Sequence, residues 1–391
     1  MKTADLRREP KRKRRPRLSP MAVDGLYVGL MSGTSMDGID AVLLGIRGGR
    51  HELLKTHSQP YAEDLLRKLR LVAGGDADTV DDVARLDRHI ALAFAAATNA
   101  LLRNARTAAT DVAALGSHGQ TVRHRPTGDA AERFTLQLGD PSTIAEETGI
   151  RTVADFRRRD LAAGGEGAPL VPAFHAAAFG APGELRAIVN VGGIANATLL
   201  EGTGVRGGFD CGPGNTLLDA WIRLKRGEDY DAGGAWSGEH EVDEALLRRL
   251  LDDGYFHRQG PRSTGPELFN LEWLDQWLGG DEDPGAVQAT LCELSAVAIE
   301  QSLAANETAP HAVYVCGGGA RNIDLMRRLS RRLDRRGIRL GTTDELGMTA
   351  EWVEAAAFAW LAHRCVSGLH GNAPEATGAS GHRILGGIYQ A

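Results

Sequence analysis

The feature that most limits what this chain can fold into is an echo between its two halves. Leu26 to Gly49 reads LYVGLMSGTSMDGIDAVLLGIRGG, and Leu185 to Gly208 reads LRAIVNVGGIANATLLEGTGVRGG. Both are a short apolar run, a glycine-rich turn and a second apolar run, and they lie roughly 160 residues apart. Each run is bounded by Gly or Asp and is short, so each copy reads as a hairpin of buried strands. A chain of 391 residues is also longer than one hydrophobic core usually supports. A duplicated domain, with two lobes that each begin on a glycine hairpin, is the expectation.

The segments between the hairpins alternate in type. A third strand is expected over His51 to Gln59, then helices over Ala62 to Val72 and Val80 to Asn104. A strand at Val112 to Gly116 opens into the polar stretch SHGQTVRHRPTG, which reads as a site loop. FTLQLGDPSTIAEETG follows as strand then helix, and RTVADFRRRDLAAGGEGAPLVPAFH as strand, glycine loop and helix. In the second half VRGGFDCGPGNTLLDAWIRLKRG is strand, turn, helix. AVYVCGGGARNIDLMRRL is buried strand, three glycines, helix, and GMTAEWVEAAAFAWLAHR is a late helix. This is an α/β pattern. The division expected is a basic extension over 1–20, a first lobe over 21–183 and a second over 184–391.

Composition removes several function classes. Hydrophobic residues at 42% and charged residues at 25% are ordinary for a soluble globular protein. The four cysteines are far apart and form no C-x-x-C pair, which argues against a zinc ribbon or a disulfide framework and favours a reducing cytoplasm. No apolar run approaches the roughly 18 residues of a membrane span, and the N-terminus lacks the apolar core of a secretory signal. The first twenty residues, MKTADLRREPKRKRRPRLSP, read as a solvated, disordered extension. A nucleic-acid or anionic-membrane tail, or a true start at Met21, are the alternatives. A net charge of -6 does not favour nucleic acid as the main partner.

Chemistry concentrates in three glycine turns at strand ends: Gly33 to Asp40, Gly192 to Asn196, and Gly317 to Gly319. Glycine lets backbone N–H groups reach phosphate oxygens, and Thr34 and Ser35 add hydroxyls, so a nucleotide site between the lobes would use such turns. A hairpin that needs glycine for its own backbone is the competing explanation. Gly33 and Gly38 have the spacing of a Walker A loop, but Ile39 and Asp40 stand where Lys and Ser/Thr belong. No dinucleotide fingerprint opening a helix is found there either. Asp37 and Asp40 stand where a carboxylate could hold Mg²⁺, or they could merely stabilise the turn. Asp210 ends an apolar strand at the mouth of an α/β sheet, a place for a general base, with turn capping as the alternative. His118 and Gln120, with Asp155, Arg157, Arg158, Arg159 and Asp160, supply donors and acceptors for a polar, anionic small molecule.

The ordered set GLMSGTSMDGID, GSHGQTVRH, ADFRRRDLAAGG with GAPLVPAFH, NVGGIAN, GFDCGPGN, VCGGG and AFAWLAHR resembles the anhydro-N-acetylmuramic acid kinase family. The resemblance runs from about Leu26 to the C-terminus. It implies an actin-like ATPase fold, duplicated ribonuclease H-like domains around a nucleotide cleft. It also implies a reaction in which ATP and water convert 1,6-anhydro-N-acetylmuramic acid to N-acetylmuramic acid 6-phosphate and ADP in cell-wall recycling.

Carried over by position, Gly33, Thr34, Ser35, Met36, Asp37, Gly38, Ile39 and Asp40 become the ATP phosphate segment. Gly192, Gly193 and Asn196 become a second phosphate turn, and Gly317, Gly318 and Gly319 the adenosine side. Asp210 takes the general-base position. His118, Gln120, Asp155 and Arg158 are substrate candidates, and Asp37 and Glu354 are metal candidates for Mg²⁺. A cytoplasmic homodimer acting on a small anhydro amino sugar, with no nucleic-acid or membrane partner, completes the expectation. Glu166 departs from the family, which more often has glutamine there, and so does the basic extension. A kinase for another hexose or amino sugar, or a non-catalytic actin-like nucleotide-binding protein, are the alternative readings.

Overall fold

The structure, a computed structural model, describes residues 23–391 apart from 34, 37, 77–78, 258–267 and 306–307. The expected extension over 1–20, together with Thr34 and Asp37, lies outside the described residues.

Three antiparallel strands open the first sheet: β1 (Gly25–Ser32), β2 (Ile39–Arg47) and β3 (Arg50–Gln59). β4 (Val112–Arg125) lies parallel to β1, β5 (Phe134–Leu138) folds back on the far part of β4, and β6 (Thr152–Ala154) lies parallel to β4. The second sheet repeats the scheme. β7 (Leu185–Val191), β8 (Ile194–Glu201) and β9 (Gly204–Pro213) form the meander, and β10 (Ala312–Cys316) and β11 (Arg339–Thr342) add in parallel. In space the orders are β3-β2-β1-β4-β6 and β9-β8-β7-β10-β11. This is one topology used twice, as the expected duplication requires.

Helices cover the sheets for reasons visible in their sequences. The Val80–Ala105 helix starts where the Thr79 side chain accepts from the N–H of Asp82, and its Ile90, Phe94, Ala97 and Leu101 pack on the first sheet. The Pro284–Ala304 helix is buried nearly all round and lies inside the second lobe. The Ile323–Asp334 helix turns Leu325, Leu329 and Leu333 inward. Arg328 and Arg332 on that helix, and Arg336 in the turn just past it, pair with Glu293 and Glu300 of the buried one.

The C-terminal segment does not stay with the second lobe, as a division at 184 had it. The Val353–Val366 helix crosses to the first sheet and packs against β1, β2 and β4, and a last strand, β12 (Gly387–Tyr389), pairs with β6. Gly29 of β1 and Gly116 of β4 make room for that helix. A Cβ on Gly29 would lie 2.0 Å from the carbonyl oxygen of Ala355, and one on Gly116 2.0 Å from that of Phe358.

β4 is longer than expected. The polar stretch read as a loop after Gly116 is strand through Arg125, because its backbone pairs with β5 and its Gln120 and His118 side chains find buried partners. Among the described residues no helix is long and apolar enough to cross a membrane.

Candidate active site

The C-terminal ends of the central strands of both sheets form the site. In the second sheet Asn190 of β7 is the register partner of Cys316 on one side and Asn196 on the other, and Asn196 is the partner of Asp210. Strands in a sheet lie roughly 4.8 Å apart, so Asn190, Asn196 and Asp210 form a polar row along the sheet's mouth. A β-bulge between Ala195 and Asn196 leaves Cys211 without a partner residue, a distortion that typically re-aims the neighbouring side chain. Asp210 is partly exposed, and its carbonyl accepts from the Tyr255 hydroxyl at 3.1 Å.

The glycines of the three turns divide into two kinds. Gly38, Gly317 and Gly319 are required by the protein itself, since an added Cβ would fall within 2.7 Å of Gln59, Asn190 and Val191 respectively. Gly33, Gly192, Gly193 and Gly318 have no such crowding; the nearest atom to an added Cβ at the first three is 3.7 Å or more away, and at Gly318 nothing lies within 4 Å. Packing therefore does not account for them. The carbonyls of Gly192 and Gly193 accept from the N–H groups of Gly214, Asn215 and Thr216, which pins the turn to the start of the Thr216–Arg226 helix.

The first turn is held from below. The Ser32 hydroxyl lies 2.7 Å from the carbonyl oxygen of Gly38 and 2.6 Å from Gln120 Oε1, Tyr61 donates to Ser32 at 3.0 Å, and Gln120 Nε2 donates to the Gly33 carbonyl at 3.0 Å. Gln120 has no exposed surface. Its amide therefore positions the turn and does not face the cleft as a substrate residue would. Gly317 N–H donates to Ala350 O, tying the third turn to the approach of the Val353–Val366 helix.

Glu354, in the first turn of that helix, joins the two lobes. Burial pushes its carboxyl above the usual range; Arg157 and a hydrogen bond with Asn190 act the other way, and Asp40 adds to the rise. Asp40 belongs to β2 of the first lobe and Asn190 to β7 of the second, so Glu354 sits where the two mouths meet. Arg157 is held by His118, whose Nε2 accepts from Arg157 Nε at 3.1 Å and Nη2 at 2.9 Å, and by the Gly167 carbonyl at 3.0 Å from Nη1. Burial lowers the Arg157 pKa to about 10, opposed by Glu354. Burial, then the Arg157 charge, holds His118 well below the ordinary imidazole value.

Asp155 and Arg158 take a different position. They pair at 3.4 Å and line a cavity of about 490 Å³ with Asp87, Ser117, Gln137 and Tyr389, on the side of the sheet covered by the Val80–Ala105 helix. His118 reaches both places, since it lines that cavity while its ring packs against Phe358, 4.7 Å between centroids. Sequence reasoning placed the arginine cluster but not the arginine that faces Glu354. It did not single out Asn190, although that residue opens the NVGGIAN stretch two positions before the second glycine turn. Glu166 is exposed, with Arg133 as the cation acting on it. The adjoining loop is fixed by buried Asp160, which accepts from Gly167 N–H, Asn372 Nδ2 and Thr377 Oγ1.

A family model described as anhydro-N-acetylmuramic acid kinase matches residues 25–391. The chain belongs to the anhydro-N-acetylmuramic acid kinase family.

Relatives bearing that family name cover the chain almost fully. One from Pseudomonas paraeruginosa is 49% identical over 368 residues, 93% of this chain and 99% of the relative. Others from Shewanella sediminis and Shewanella oneidensis are 48% and 47% identical, each over 93% of this chain and 98% of their own length. Both glycine hairpins, Asp210 and Glu354 fall inside the region that the kinase family model matches.

Proposed function

We propose that the protein is an ATP-dependent kinase that converts 1,6-anhydro-N-acetylmuramic acid and water to N-acetylmuramic acid 6-phosphate and ADP, a step of peptidoglycan recycling. The observation that carries the reading is the set of glycines, Gly33, Gly192, Gly193 and Gly318, that packing leaves unexplained on both sides of a cleft containing Asp210. Gly33, Thr34, Ser35, Met36, Asp37, Gly38, Ile39 and Asp40, with Gly192, Gly193 and Asn196, would cradle the phosphates, and Gly317 to Gly319 the adenosine side.

Asp210 accepts a proton from the water that attacks the anomeric carbon. As the new C1–O bond forms, the bond from C1 to the bridging oxygen breaks. That oxygen, retained on C6, takes the γ-phosphoryl group, the leaving electron pair stays on the β-phosphate of ADP, and the proton on Asp210 passes to solvent. General-base assistance of this kind contributes roughly 10²–10⁴-fold. Asp40 and Glu354 act on each other at the first lobe's mouth, which fits Mg²⁺, an ion commonly held by one or two carboxylates plus substrate phosphates. Asp37 is a further candidate ligand. When bound, the ion neutralises charge on the transferring phosphoryl group. The cavity in the first lobe, lined by His118, Asp155 and Arg158, would be the sugar's entry surface. The soluble setting we assign is the cytoplasm, and the assembly a homodimer, which light scattering of the purified chain would check.

The test is ADP formation by purified protein with Mg²⁺ and ATP, which should depend on the anhydro sugar. In ¹⁸O-water the label should appear at the product's anomeric carbon at early times, before mutarotation exchanges it. ADP release with unlabelled product would instead assign an ordinary hydroxyl kinase.

A further inference from the structure

The His118–Arg157 contact is built with more care than a structural ion pair needs. His118 is 5% exposed, lies midway along the central strand β4, and is pressed on Phe358, one turn along the helix from Glu354. Both donors aimed at its Nε2 belong to Arg157, so that nitrogen carries the lone pair and the ring proton sits on Nδ1. The guanidinium has five N–H groups, of which three are directed at His118 and Gly167. Its edge is therefore fixed in rotation, and a partly exposed face remains beside Glu354.

Among the described groups that act on Glu354, Arg157 is the cation, while Asp40 is a second carboxylate. A cleft that sets Asp40 beside Glu354 while handling phosphates and a sugar acid must offset that negative charge at a fixed point. A guanidinium whose rotation is locked suits this better than a mobile lysine, because its planar fork matches an oxyanion in two directions.

We propose that His118 is a positioning residue that aims Arg157 into the cleft as the receiver of a ligand oxyanion, either the carboxylate of the sugar substrate or an oxygen of the nucleotide's terminal phosphate. The proposal deepens the kinase reading and rests on it for the identity of the ligand, but not for the positioning itself. It assigns His118 to the arginine and not to direct proton transfer. It also makes Arg157, in place of its exposed neighbour Arg158, the anion-binding member of the arginine cluster.

The experiment uses the full-length protein in two arms. In steady-state assays, His118→Phe keeps a ring against Phe358 but removes the acceptor, and His118→Gln keeps an acceptor. His118→Phe should raise one KM at least about tenfold with a smaller change in kcat, and His118→Gln should recover most of that loss. A rise confined to the sugar KM, and absent when a 1,6-anhydro amino sugar lacking the carboxylate is used, assigns the sugar carboxylate. A rise confined to the ATP KM assigns the phosphate. Unchanged KM values for both in a His118→Phe protein that melts as the wild type does overturn the oxyanion role.

The second arm needs no turnover. In ¹⁵N-labelled protein the His118 ring should show an Nδ1-protonated tautomer, and its Nε2 resonance should move in Arg157→Met. A resonance that does not move overturns the positioning claim even if the wild type proves inactive on the anhydro sugar, an outcome that would count against the kinase reading alone.

Discussion

Asn196 and Asp210 are register partners across β8 and β9, with a β-bulge immediately beside them. The carboxylate we propose as general base is thus carried by a strand, and its strand neighbour is a side chain of the proposed second phosphate turn. A base built into a ladder is held more firmly than one on a loop, which suits a reaction whose water and phosphoryl group must be aligned together.

Asp210→Asn keeps shape but loses basicity, so turnover should fall by roughly 10²–10⁴-fold while nucleotide binding changes little. Rapid-quench measurement of sugar phosphate and calorimetric titration of ATP analogues would check both halves. Activity within a few-fold of wild type would remove Asp210 from the chemistry.

Gln120 and Ser32 support the first turn from within the sheet. Replacing Gln120 by Leu leaves the Gly33 carbonyl and the Ser32 and Tyr61 hydroxyls without that amide, at a cost of about 1–3 kcal/mol. The ATP KM should rise several-fold with the sugar KM little altered. Equal rises in both would show that Gln120 serves the whole cleft and not that turn.

Gly29→Ala and Gly116→Ala each push a methyl into a helix carbonyl. Overpacking of this kind costs roughly 1–3 kcal/mol or more, and the helix backbone has little freedom to retreat. Thermal melts should show a Tm lower by at least about 2 °C for either variant. A control at Gly202, where a Cβ meets nothing but φ is 61°, reports backbone strain alone.

Acid should weaken the fold through buried imidazoles. His175 is held at about 3 by burial, and His51 at about 4 by burial, then by His363 and Arg364. An unfolded histidine titrates near about 6.5. Below that value the unfolded chain takes up protons that the native state refuses, so the stability these groups give is complete above pH ~6.5 and declines towards pH ~4. The slope is at most about 1.4 kcal/mol per pH unit for each histidine. Glu354, Asp155 and Asp87 are raised and act in the opposite sense as they protonate. Urea midpoints at pH 7.5, 6 and 5 for wild type and His51→Phe separate the two: the variant should lose less stability on acidification. Parallel curves would show that His51 is not held neutral.

The glycine hairpins were legible because a short apolar run, a glycine turn and a second run leave few alternatives, and both copies fold as read. The helices at Glu63–Gly74 and Val80–Ala105 were also clear from periodicity. The polar end of β4 was not, because strand patterns are recognised by their apolar alternation and here Ser117, His118 and Gln120 are buried polar residues. Arg157 could not be told from Arg158 in RRR, since only the turn of a short helix decides which one meets His118. The C-terminal crossing left one trace in the sequence, glycines inside β1 and β4 where a strand gains nothing from them locally.

That crossing fixes an order on synthesis. When the ribosome has joined the first 184 residues it has made every strand of the first sheet except β12. It has made neither that strand nor the helix that covers Gly29 and Gly116. The lobe begun first is therefore the lobe finished last, and its apolar face waits for the chain's final forty residues or so.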